Sequence, residues 1–160
     1  MVRLSMLVLL ACGVAAPASA QLIVHKDLSL AIARTLVETS IEACRKMGYN
    51  TSAVVVDRAG ETLVAMRGDN ASPHTLENAR RKAYTARSFR QTTAEYAKKY
   101  AEGNKTVAQQ VTLPNVIAIP GGVPIKVGDD VIGGVGLSGS PGKDDDCVAA
   151  GMERIAGQLK

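Results

Sequence analysis

The chain has 160 residues, 46% of them hydrophobic and 21% charged, with a formal net charge of +4. So modest an excess does not by itself call for nucleic acid or an anionic membrane surface, and a chain of this length buries one adequate core without staples. Four tyrosines, one phenylalanine and no tryptophan leave that core to Val, Ile, Leu, Met and Ala.

The N-terminus, Met1-Val2-Arg3, is followed by an apolar run from Leu4 to Ala16 and then Pro17-Ala18-Ser19-Ala20. A charged start, a short apolar stretch and an Ala-x-Ala site describe a cleavable signal peptide over residues 1–20, with the mature chain beginning at Gln21. The expected location is the periplasm or the exterior. In the alternative reading Leu9-Leu10-Ala11-Cys12 is a lipoprotein processing site, and Cys12 becomes a lipid anchor. Neither the first run nor any later one reaches the roughly 20 residues that a membrane-spanning helix needs. Cleavage leaves Cys44 and Cys147 as the cysteines of the mature chain. Both fall on the apolar stripes of expected helices. They are either two buried thiols or, as an oxidising compartment permits, a bridged pair.

Ser29 to Met47 is expected to be an amphipathic helix, capped by Asp27 or Ser29 and stopped by Gly48. Ser52-Ala53-Val54-Val55-Val56 reads as a buried strand. Asp57-Arg58-Ala59-Gly60 is a turn, and Glu61 to Met66 returns as the second arm of a hairpin. Ser72 and Pro73 fit the cap and first position of a helix to about Phe89, whose inward face is the small stripe Ala79, Ala83 and Ala86. Thr92 to Glu95 is a capping box that opens a further helix, ending near Gly103. Asn104 to Asn115 is ambiguous.

Three short strands are then expected: Val116 to Ile119, Val123 to Val127, and Val131 to Leu137. The last carries Gly133, Gly134 and Gly136, which let another backbone come close. Asp144 to Leu159 closes the chain as a helix. Tight turns between strands point to an α/β domain of the α+β type, over residues 21–160, with a mostly antiparallel sheet of about five strands covered by helices.

Candidate chemistry is sparse. The two histidines, His25 and His74, offer imidazoles of the kind that ligate haem iron; either is otherwise an exposed polar side chain. His25 follows the cleavage site on a segment expected to be mobile. Two histidines cannot make a structural zinc site alone, and neither a C-x-x-C nor an H-E-x-x-H pattern occurs. Arg80 and Arg87 are seven residues apart on one helix, so they share a face that is either solvated or holds ligand carboxylates through bidentate bonds. Asp144, Asp145 and Asp146 suit the start of a helix by complementing its dipole; Asp145 and Asp146 are also the weak candidates for proton transfer. Gly121 and Gly122 serve a turn or the wall of a pocket. No aromatic residues interleave the basic run to stack bases, so nucleic acid is not expected as a partner.

Ser72-Pro73-His74-Thr75, then Ala79 to Ala86 and Phe89, resembles the central motif of the GlcG/HbpS-like family of haem-binding or haem-degrading proteins. Gly121 to Ile125, Val131 to Gly139, Asp145-Asp146 and Ala149-Ala150-Gly151 resemble its C-terminal signature, and Asp57 to Gly60 its first hairpin turn. The resemblance spans essentially all of the mature chain. It implies a profilin-like fold, assembly into dimers or larger rings, and haem as the ligand, with His74 and Thr75 carried by the central motif. An acidic Glu-x-x-Glu iron site near the first helix is not carried over, because Glu38 and Glu42 stand four residues apart.

The expected function is therefore that of an exported haem- or tetrapyrrole-binding homo-oligomer that captures, senses or degrades haem. His25 or His74 would be the axial ligand, Arg80 or Arg87 would face the propionates, and Gly121, Gly122 and the glycine-rich strand would line the pocket. Two alternatives belong to other classes: a small enzyme acting on a carboxylate-bearing metabolite through Arg80 and Asp145 or Asp146, and an accessory oligomer that binds a partner protein.

Overall fold

Ser52–Val56 (β1) is buried at every position. A strand that is apolar on both faces belongs at the centre of a covered sheet, and β1 sits there, antiparallel to Thr62–Arg67 (β2) on one side and to Asp130–Ser138 (β4) on the other. Gly122–Val127 (β3) pairs antiparallel with β4 and completes a four-stranded sheet of order β2-β1-β4-β3. The structure, a computed structural model, describes residues 21–160; the expected signal peptide with its cleavage site, and the alternative at Cys12, fall outside the described residues.

Among the described residues five α-helices accompany the sheet: Leu30–Lys46 (α1), Thr75–Phe89 (α2), Thr93–Ala101 (α3), Lys105–Gln110 (α4) and Asp144–Ile155 (α5). Alternation along the strands sorts them into layers. Ala53, Val55, Val135 and Leu137 point to one face, where they pack with Leu36 and Val37 of α1 and Val148 and Ile155 of α5. Val54 and Val56 point to the other, against Ala79 and Ala83 of α2. A third cluster, Tyr96, Val107 and Val116, with Phe89 stacked on Tyr96 at a ring separation of 4.8 Å, seats α3 and α4 beside α2.

The small stripe of α2 and the glycines of β4 are two halves of one contact. A Cβ at Gly136 would lie 2.1 Å from the Ala79 carbonyl oxygen, and one at Gly134 would lie 2.3 Å from that of Ala83. The helix backbone therefore rests directly on the strand backbone.

Opposite this layer, Cys44 of α1 and Cys147 of α5 are bridged, with Cα atoms 5.4 Å apart. The bridge joins the helices that cover the other face and resolves the choice between paired and free thiols.

The sheet has four strands where about five were expected. Val116 to Ile119 is irregular chain. Its polar backbone is satisfied from α2 rather than from a neighbouring strand: the Ile117 amide donates to Thr85 Oγ1 at 2.9 Å, and Arg81 Nη2 donates to the Val116 carbonyl at 2.6 Å. Helix α2 also starts later than Ser72-Pro73 suggests. The Ser72 carbonyl accepts the Thr75 amide and hydroxyl in a turn, and the first helical residue is Thr75. The Thr92 capping box forms as expected, with both reciprocal bonds present. Among the described residues no helix is long and apolar enough to cross a membrane.

Candidate functional site

The two histidines stand in different clefts. His25 lines a cleft of about 500 Å³ with Asp27, Leu28, Asp57, Arg58, Ala59 and Leu63. Leu28 comes from the segment before α1 and Leu63 from β2, and both pack on the main core. The floor is therefore apolar and the rim is charged. Ligand pockets commonly occupy about 300–1,000 Å³ with such a lining. The His25 ring lies with Nε2 3.2 Å from Asp27 Oδ2. The Asp27 carboxylate thus stands beside one ring nitrogen of His25.

The segment carrying His25 is tied down. Arg58 donates to Asp27 Oδ1, to the Lys26 carbonyl, and through both terminal nitrogens to Asp130 at the start of β4. The hydrogen bonds to Asp130 and Asp27 hold the Arg58 guanidinium pKa well above its ordinary value, and the Arg58 side chain holds the Asp130 carboxyl below its own. Beneath them Arg87 Nε donates to the Arg58 carbonyl at 2.8 Å. Burial, with Arg90 and Arg58 nearby, lowers the Arg87 pKa from its ordinary value.

His74 and Thr75 line a second cleft of about 250 Å³, with Ser72, Lys82, Ile119, Ser138, Gly139, Pro141 and Asp144. A neighbouring hollow of about 340 Å³ shares Ile119, Pro141 and Asp144 and adds Asp145. Lys82 is the unexpected member. Its side chain is 1% exposed, with Nζ 2.6 Å from Asp144 Oδ2 and 2.9 Å from the Leu137 carbonyl. The other oxygen of Asp144 accepts from the amide and hydroxyl of Ser140. Asp145 Oδ1 accepts the Gly121 amide at 2.9 Å, and burial pushes the Asp145 carboxyl up from its usual value.

The remaining expected residues disperse. Arg80 pairs with Glu77 and donates to Asn115, at a third cleft of about 270 Å³. Two helical turns separate it from Arg87, and the two do not converge. Gly121 is buried with φ +111°, where an added Cβ would meet Asp144 and Lys82; Gly122 donates its amide to Thr93 Oγ1. Gly134 and Gly136 face α2 rather than a cleft. Asp146 is exposed and paired with Lys143. Among the described residues no group of three or more His, Cys, Asp or Glu side chains is placed to hold a metal ion.

Sequence reasoning missed Lys82 and Arg58. Lys82 was hidden in the run Arg80-Arg81-Lys82, although it stands three residues after Ala79 and four before Ala86, on the buried stripe. Arg58 sat in a turn whose partners, Asp27 and Asp130, are remote in sequence.

Comparison with known proteins agrees with this architecture. The profile of the "Haem degrading protein HbpS-like" family matches residues 28–153. Protein GlcG of Escherichia coli K12 is 32% identical over 111 residues, covering 69% of this chain and 81% of GlcG. The crystal structure of HbpS superimposes with a TM-score of 0.78 at 33% identity, covering 87% of this chain and 97% of HbpS. A crystal structure of a PduOC–haem complex does so with a TM-score of 0.75 at 25% identity, covering 81% and 96%.

Proposed function

The chain belongs to the HbpS-like family, and from that premise we propose that it is an exported protein that binds haem in the cleft beside His25. The observation that carries the reading is the cleft itself. It is the roomiest of those described, apolar along Leu28, Ala59 and Leu63, with a single imidazole at its rim. Haem packs its ring in an apolar slot and commonly takes an imidazole as its iron ligand, and this lining offers both. His25 would ligate the iron, with Asp27 orienting the ring. A relative of similar fold has been crystallised with haem.

Export is supported by the residue pattern before Gln21, and the Cys44–Cys147 bridge suits an oxidising compartment. Assembly into dimers or larger rings belongs to the same proposal, and light scattering on mature protein reads it.

The test is a haemin titration of residues 21–160 followed by absorbance. A saturable Soret shift that is lost or spectrally altered in His25→Ala, and retained in His74→Ala, supports the reading. No saturable shift overturns it, and a shift sensitive only to His74→Ala moves the site to the second cleft.

The enzyme alternative has one observation in its favour: Asp145, with its raised pKa, shares the hollow of Asp144 and lies close to Lys82. Arg80, spent on Glu77 and Asn115, is not part of it. This reading requires turnover of a small metabolite that Asp145→Asn abolishes while the fold survives.

A further inference from the structure

We propose that Arg58 is a positioning residue for haem binding: through Asp27 it fixes the His25 imidazole over the cleft before the ligand arrives. The inference rests on the haem reading given above. His25 lies on chain without regular secondary structure, ahead of α1, where no helix or strand hydrogen bonds hold the backbone in place. A ligand on a mobile strap is ordered only as binding occurs, and that ordering weakens affinity.

A relay of polar contacts holds this segment ahead of binding. Asp27 divides its carboxylate, with Oδ2 3.2 Å from His25 Nε2 and Oδ1 accepting from Arg58 Nε at 3.2 Å. Arg58 Nη2 also donates to the Lys26 carbonyl at 2.6 Å, so the backbone on the other side of the relay is held as well. The guanidinium is itself fixed. It grips Asp130 bidentately at 2.9 and 2.7 Å, and its own carbonyl accepts from Arg87. The turn beneath it is locked, because Asp57 Oδ1 accepts the amides of Ala59 and Glu61.

An isolated exposed ion pair contributes little. This one differs, because one planar fork satisfies three partners from two distant parts of the chain. Lysine cannot reproduce that geometry. The side chain is 23% exposed, so the fork is partly shielded from water.

The alternative role for Arg58 is direct contact with a haem propionate, and a double-mutant cycle separates the two. If Arg58 acts through His25, Arg58→Gln weakens haemin binding by about tenfold, as expected when ordering of one or two side chains moves into the binding step. In the His25→Ala background the same substitution then has no further effect. A direct propionate contact would cost affinity in both backgrounds, and that result overturns the proposal.

Asp130→Asn attacks the clamp from the other side and serves where Arg58→Gln fails to fold. It should reproduce the weakened binding. Both Asp130→Asn and Arg58→Gln should also give a mixed iron spectrum, in which part of the bound haemin lacks histidine ligation.

A haem-free arm reads the clamp itself. Heteronuclear ¹⁵N relaxation at residues 25–28 should show ordered backbone in the apo protein and a fall in order in Arg58→Gln. Equal mobility in the two proteins overturns the clamp whatever haem does. Loss of all haemin binding in the wild type, with the relaxation difference intact, overturns the haem reading and the positioning role together and leaves only the tether.

Discussion

Lys82 Nζ lies 2.6 Å from Asp144 Oδ2 with the lysine side chain 1% and the aspartate side chain 13% exposed. A charge pair removed from water this fully gives little net stability over apolar residues of the same shape, yet breaking it leaves one charge buried and unpaired. Lys82→Met should therefore destabilise the fold by about 3 kcal/mol or more. The double replacement Lys82→Met/Asp144→Asn, which removes both charges and keeps an oxygen for the Ser140 amide and hydroxyl, should lie much closer to wild type. Urea denaturation of the apo protein checks both, and equal loss in the single and double variants would contradict this account of the pair.

The contact between α2 and β4 should tolerate no added methyl. At Gly136 a Cβ would lie 2.1 Å from one backbone atom of the helix and 2.6 Å from another. Gly136→Ala should cost about 2 kcal/mol or more through overpacking. Gly157→Ala, where nothing stands within 4 Å of the added carbon, is the matched control and should leave the denaturation midpoint near wild type.

The Cys44–Cys147 bridge spans 103 residues of sequence. In the chain-entropy treatment a loop of about 100 residues contributes about 4–5 kcal/mol by restricting the unfolded ensemble. The paired variant Cys44→Ser/Cys147→Ser should lose stability of that order. Reduced and oxidised wild type should differ similarly when unfolded in denaturant with and without a strong reductant.

Asp145 gives a pH dependence of unusual sign. Burial raises its carboxyl pKa in the folded state above the ordinary carboxylate value. The native state therefore keeps this proton after the unfolded chain has released it. By linkage its contribution to stability falls as pH rises from about 4, the unfolded value, through the raised folded value, and it stays low above that. Asp145→Asn keeps an oxygen for the Gly121 amide and removes the titration. It should be more stable than wild type at pH 7, and the difference should shrink toward zero below pH 4. Urea unfolding of the two proteins in parallel at several pH values measures this difference directly, because Asp130 and Glu77, whose pKa values are lowered, titrate alike in both.

The sequence carried most of the layer architecture because burial on both faces, helical spacing and turn residues are local signals. Val54 and Val56 against Val55 declared a covered strand, and Gly134 with Gly136 declared a close neighbour. Val116 to Ile119 misled because an apolar, β-branched stretch is strand-like by composition, whereas Thr85 and Arg81 compete for its backbone from α2. The clefts were less legible. Whether His25 and His74 converge depends on how distant segments meet, and they do not. Lys82 could have been found from its place on the alanine stripe. Arg58 could not, since its partners lie 31 and 72 residues away.

The seating of α2 on β4 also constrains how this sequence can change over time. What blocks a side chain at Gly134 or Gly136 is helix backbone, not a neighbouring side chain that could shrink in exchange. Compensation at a single second position is therefore closed off, and only displacement of the whole helix would make room. Because the same helix carries Thr75 and Lys82 at the second cleft and Arg87 beneath the Arg58 turn that lines the first, drift at those two strand positions is coupled to the shape of both clefts at once.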